Sequence, residues 1–128
     1  MAIDLIAQDV FETLSAKTNL PPIYWPNVAV PAAPEALHLR VYILPAGTQS
    51  IGLASFDVER GIIQVSIFST QGAGMIAPFA LAEKILGIFP RGYTSPRFVV
   101  PLAGSVGPAI YDGAWCVVPV SFNYQNVR

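Results

Sequence analysis

Charge is scarce in this chain. Lys and Arg number 7 and Asp and Glu 8 among 128 residues, or 12%, where a soluble domain ordinarily carries about 25%. The net charge is −1. Without a basic surplus there is little to neutralise phosphates, which argues against nucleic-acid recognition. The single cysteine, Cys116, excludes an internal disulfide. It stands in an apolar run, where a buried, inert thiol is expected rather than a nucleophile. The single histidine, His38, leaves a metal centre or a Ser/His/Asp triad short of partners, since only Glu35 is an acid close to it in sequence. A solvated or interface position is expected for it. No uninterrupted run of about 18 apolar residues occurs, so no membrane span is expected. The opening MAIDLIAQDVFETL carries acids where a signal peptide is basic. These features suggest a protein kept in the cytoplasm, with no membrane partner.

Apolar residues are abundant instead, at 53%. A soluble chain so poor in charge is expected to cover much of its surface in a complex. Its length suits one domain, residues 1–128, able to bury a core without staples. The 12 prolines and 10 glycines are scattered, which indicates many turns rather than low complexity. No internal repeat is found.

Residues 61–89, GIIQVSIFSTQGAGMIAPFALAEKILGIF, dominate the pattern. The first eight are largely β-branched or aromatic, and Ile63, Val65 and Ile67 share one strand face. A small-residue turn follows. Then Met75, Phe79, Ala82, Leu86 and Phe89 recur at helical spacing, with a second stripe of Leu81, Ile85 and Ile88. Pro78 belongs in the first turn, so the helix starts near Gly74 and frays at Gly87 and Pro90. A helix this apolar needs cover on more than one side, one from a sheet and another from a neighbouring subunit.

Upstream, residues 3–17 read as an amphipathic helix with Ile3, Ile6, Val10 and Leu14 on one face. Residues 21–36 form a proline-rich arm. Its prolines forbid helix or central strand, yet Tyr24 and Trp25 are too large for a free linker and are expected to pin it to the domain or to a partner. Residues 37–44 alternate as a half-buried strand, with Leu37, Leu39, Val41 and Ile43 inward. Turns are expected at residues 45–48 and 59–61, with a strand from 50 to 58 between them, giving a three-stranded meander. Further strands are expected at 97–101, around 109–111, and at 115–124. In the last, Val118, Val120, Phe122 and Tyr124 face the core, and Pro119 marks an edge or a bulge. The expected fold is α+β: an antiparallel or mixed sheet of about four to six strands, with an N-terminal helix and a second long helix packed on it.

Catalytic signals are thin. Gly72-Ala73-Gly74-Met75-Ile76-Ala77 matches G-x-G-x-x-A after a strand and before a helix. However, the preceding strands look like hairpins, and the first acid after Glu83 is Asp112. A glycine turn explains the pattern without a dinucleotide. No Gly-Lys-Ser/Thr occurs. Asp57 and Glu59 share one strand face, where two acids near a turn are ordinarily solvated. No enzyme activity, cofactor or metal is expected.

Three stretches taken in order carry a resemblance. They are PPIYWPNVAVPAAPEALHLRVYILPA, then GLASFDVERGIIQVSIFSTQGAGMIAPFALAEKILGIFPRG, and the closing AWCVVPVSFNY. Together they resemble the tail terminator, or tail-completion, proteins of long-tailed bacteriophages. The resemblance implies a homohexameric ring that caps the tail tube, stops its growth and presents a surface to the head's neck or connector protein. It implies a virion location at the head-proximal end of the tail, with DNA passing through the lumen without specific binding. Tyr24, Trp25, Asp57, Glu59 and Arg60 are the expected interface residues, and the pair Asp57 and Glu59 is expected to face the lumen. A head–tail joining protein, a small-molecule-binding α+β module and an enzyme using the glycine turn are the alternatives.

Overall fold

The computed structural model describes residues 3–32, 34–51 and 56–126; the side chains at positions 3, 47–51 and 56–58 lie outside this description. Helix α1 spans Ile3–Ser15. Ile6, Val10 and Leu14 are fully buried, as their spacing of four residues along one helical face predicts. Strand β1, Ile23–Tyr24, is followed by β2, Leu37–Ile51, and β3, Phe56–Thr70. Helix α2 spans Ile76–Leu86. Three short strands follow: β4 (Phe98–Val99), β5 (Ser105–Val106) and β6 (Ile110–Asp112). The long β7, Trp115–Asn126, closes the chain. The sheet order is β1-β2-β3-β7-β4, with β5 and β6 also on β7. All pairings are antiparallel except β1 on β2. The fold is α+β, as expected, with seven strands rather than four to six.

The expected meander is instead one long hairpin. β2 and β3 pair from Leu37↔Ser69 out to Ile51↔Phe56, so neither expected turn exists. At residues 45–47 the ladder slips by one residue between Pro45 and Gly47. This bulge absorbs the proline without ending the strand. Gly61 is not at a turn either. It pairs with Pro45 on one side and Tyr124 on the other. A Cβ there would sit 2.5 Å from the Tyr124 ring. Gly61 is a glycine because an aromatic ring lies across its strand.

The core lies between the helices and one sheet face. Leu39, Val41, Ile63, Val65, Ile67, Val118, Val120, Phe122 and Tyr124 meet Ile6, Val10, Leu14, Leu81, Ala82 and Ile85 there. Phe89 closes one end, edge-on to Phe122 at 5.3 Å and to Tyr93 at 5.2 Å. The two apolar stripes of α2 divide differently from expectation. Pro78, Leu81, Ala82 and Ile85 are buried, whereas Phe79 is 49% and Ile76 87% exposed. The buried face falls between the two stripes, taking Leu81 and Ile85 from one and Ala82 and Phe89 from the other, which turns Phe79 outward. Pro78 sits in the first turn, where its missing N–H costs no hydrogen bond.

Pro119 lies inside β7 rather than on an edge strand, paired with Ser66 of β3. Gly107 donates its N–H to the Pro119 carbonyl from the other side at 2.8 Å. In an antiparallel strand a residue's N and C=O point the same way. The absent N–H therefore faces the stretch between β5 and β6 and is not missing from the ladder with β3. Among the described residues, no helix is long and apolar enough to cross a membrane.

Candidate functional site

The five expected interface residues fall in two places. Tyr24 and Trp25 stand at the β1 edge, where the arm meets the domain. Asp57, Glu59 and Arg60 stand far along the β2–β3 hairpin, paired with Ser50, Thr48 and Gly47. The structure does not bring the two groups together.

At the β1 edge, the two aromatics go to opposite sides. The Trp25 ring lies 4.9 Å from Phe11 of α1. The Tyr24 ring lies 4.7 Å from His38, on the sheet face away from the helices. The Tyr24 hydroxyl accepts the Glu35 N–H at 3.1 Å, and His38 Nδ1 meets the Glu35 carbonyl at 2.8 Å. These two bonds join both ends of the arm. Asn27 takes the left-handed conformation, φ 58°, and Val28 donates its N–H to the Trp25 carbonyl at 3.3 Å, which turns the chain directly after Trp25. Beyond the turn, Val28 is 60% exposed.

His38 departs from expectation. It is fully buried, not solvated. Phe68 stacks on it at 5.0 Å and Trp115 meets it edge-on at 5.0 Å. The residues that enclose it come from β1, β3 and β7, which sequence alternation along β2 does not reveal. Its protonation follows from its partners. A carbonyl only accepts, so Nδ1 carries the proton; Arg40 donates its Nε–H to Nε2 at 3.2 Å, so Nε2 is the acceptor. Burial, foremost, holds the imidazole pKa below its usual value; the Arg40 charge acts the same way, and the Glu35 carbonyl bond opposes both. The Arg40 guanidinium also lies 4.1 Å over the Phe68 ring, an attraction for a cation. Both ring nitrogens are engaged, so this cluster is a structural clasp between arm and sheet.

Along the hairpin, the Asp57 side chain lies outside the described residues, so only its register is fixed. The described ladder runs on past Thr48↔Glu59 and Ser50↔Asp57 to Ile51↔Phe56, which places Asp57 and Glu59 on the shaft. The Glu59 N–H is donated to Asn126 Oδ1 at 3.0 Å. Arg60 is exposed and borders a depression of about 490 Å³ with Gly61, Leu102 and Tyr124. Burial raises the Tyr124 hydroxyl pKa, with the Glu59 charge acting the same way.

A larger depression, of about 860 Å³, lies beside α1. Asp4, Ala7, Phe11, Glu12, Ser15 and Trp25 border it. Sequence periodicity found the buried face of α1 but not this one, because Trp25 enters from a separate element. Gly72 and Gly74 have φ of 92° and 90°, a conformation that favours glycine. β3 is antiparallel to both of its neighbours, so this turn does not belong to a parallel βαβ unit. Cys116 is buried, with its thiol 3.7 Å from the Met75 sulfur. No group of three or more His, Cys, Asp or Glu among the described residues is placed to hold a metal.

Three comparisons bear on identity. The family model for phage tail terminator proteins matches residues 3–124. No curated protein sequence matches. A solved structure that carries no functional name superposes with a TM-score of 0.77 at 27% identity, covering 100% of this chain and 97% of that one.

Proposed function

Because the chain belongs to the phage tail terminator family and is thus a structural component of a phage tail, we propose that it caps the head-proximal end of the tail tube. In this reading six copies close into a ring that ends tube polymerisation and offers its outer surface to the neck or connector protein of the head. The observation that carries the reading is the extent of the family match, which runs from α1 to Tyr124 of β7 and so takes in every element of the fold.

The physical argument concerns symmetry. Tube rings stack head to tail, a contact that does not close and continues without limit. A cap must fit the growing face on one side and refuse a further tube ring on the other. Such a part needs two unlike surfaces and no chemistry. The exposed Ile76 and Phe79 of α2 and the exposed Val106, Ile110 and Tyr111 beside β7 supply apolar surface for such contacts. Asp57 and Glu59 are proposed to face the lumen, where negative charge repels DNA phosphates and lets the duplex slide. Arg60, Tyr24 and Trp25 are proposed interface residues.

Deletion of the gene tests the reading. The expected outcome is filled heads with separate, overlong tails, and supply of the protein in trans restores joined particles of normal length. Tails of normal length still attached to heads would overturn the assignment. Tails of normal length left unattached would favour a head–tail joining role.

A further inference from the structure

We propose that the depression between α1 and Trp25 receives an arginine from the turn at residues 90–97 of a second copy, and that this head-to-tail contact is what links neighbouring subunits. The proposal rests on the ring reading above and names its contact.

The depression has the chemistry of an arginine receptor. Its floor is aromatic, with Phe11 and Trp25 4.9 Å apart. The carboxylates of Asp4 and Glu12 stand at its rim, both exposed. Gln8 donates to Glu12 Oε1 at 3.0 Å, which orients one carboxylate and leaves its other oxygen available. Among the described residues, no basic side chain borders the depression. A guanidinium satisfies both halves of such a site, stacking flat on an indole while its N–H groups meet a carboxylate.

The opposite flank of the same helix carries the complementary part. With about 100° per residue, Asp9 and Thr13 lie on one side of the buried Ile6–Val10–Leu14 line, and Asp4, Phe11 and Ser15 on the other. Asp9 accepts the Ser95 hydroxyl at 3.0 Å, and Thr13 meets the Tyr93 hydroxyl at 3.4 Å. These bonds dock the turn at 90–97 against α1. The turn is also braced internally. Ser95 Oγ accepts the N–H groups of Arg97 and Phe98, Gly92 donates to the Val100 carbonyl, and Val100 donates to that of Tyr93. It presents Arg91 and Arg97 exposed. The neighbouring carboxylate of Asp9 is occupied by Ser95.

A negative aromatic socket on one flank of α1 and a rigid positive turn on the other is a heterologous arrangement. Copies joined through it run in one direction, as ring closure requires. Because the turn is already ordered, little conformational freedom is lost on contact. Arg60 is exposed as well, but it stands on the hairpin shaft, in the ladder between Gly47 and Gln125, and not on the turn docked against α1.

The test is a crosslink. Ser15→Cys, at the rim of the depression, and Thr94→Cys, on the turn, are combined in the full chain, which keeps Glu12 and both arginines in place, Cys116 being buried, and oxidation is carried out on concentrated pure protein and on tails. Both positions are exposed, so folding is not at risk. A ladder of covalent oligomers beyond the dimer is expected, and neither single variant should give one. Separately, Glu12→Arg and Arg97→Glu should each weaken the contact about tenfold, and their combination should restore it. Absence of the ladder from both samples while the variant still caps tails overturns this contact and leaves the ring reading standing. A crosslink to a different virion protein also overturns it, by giving the socket to that partner. A ladder in pure protein supports the contact even where the deletion experiment refutes tail capping.

Discussion

Arg40 donates its Nε–H to His38 Nε2 across 3.2 Å, so the buried imidazole has no place for a second proton. A proton on Nε2 would remove that bond and set two cations side by side. The folded-state pKa is lowered, foremost by burial. A depressed histidine binds its proton more readily unfolded than folded. The associated stability is therefore present above the unfolded value of about 6.5 and is lost as pH falls below it toward the folded value. Thermal melts across this interval should show a falling midpoint for the wild type. In His38→Gln the slope should flatten. A wild-type midpoint indifferent to pH there would contradict the clasp.

Gly61→Ala should destabilise by about 1–3 kcal/mol, the range for overpacking a filled site. The reason is the Tyr124 ring across the strand, 2.5 Å from the added methyl. The change should be far milder in a Tyr124→Leu background, and a double-mutant cycle by chemical denaturation would measure the coupling.

The two sides of α2 should respond differently. Ile85→Ala, at a fully buried position, should cost about 2–5 kcal/mol. Ile76→Ser with Phe79→Ser should stay within about 0.5 kcal/mol per site in the isolated subunit, because both side chains face solvent. Equal losses from the two changes would mean that the helix is rotated about its axis.

Trp25→Ala should cost the isolated subunit roughly 1–3 kcal/mol, from partial burial of a large ring and its pairing with Phe11. Tyr24→Phe should cost about 0.5–1.5 kcal/mol, since it removes only the acceptor for the Glu35 N–H. If Trp25 is also a subunit contact, assembly should suffer more than folding, as read from joined-particle yield against a denaturation midpoint.

Local periodicity carried much of this fold. The buried line of α1, the inward residues of β7 and the α+β class follow from spacing alone, because each depends on residues close in sequence. The failures share one cause. Pro45 and Gly61 resemble turn residues, but a bulge accommodates the first and the ring of Tyr124, 63 positions away, explains the second. His38 resembles a solvated polar residue until Tyr24, Phe68 and Trp115 gather around it. Both stripes of α2 are apolar, so nothing local shows that the buried face falls between them and leaves Phe79 outside. Of the candidate site, Tyr24 and Trp25 were legible as anchors by size, while the socket that Trp25 forms with Phe11 needed the fold.

The two borders of the sheet are unlike each other. On the β7 side, three strands of two or three residues and a proline without an N–H interrupt the row of hydrogen-bonding groups. On the β2 side, β1 covers only Leu39 and Arg40, and beyond them no described strand pairs with the outer border of β2. A sheet extends indefinitely only when both borders can receive a strand. Here one border is blunted, so two chains meeting through their open borders would satisfy each other and leave nothing for a third. The blunted border thereby limits pairing of this chain, strand upon strand, to two copies.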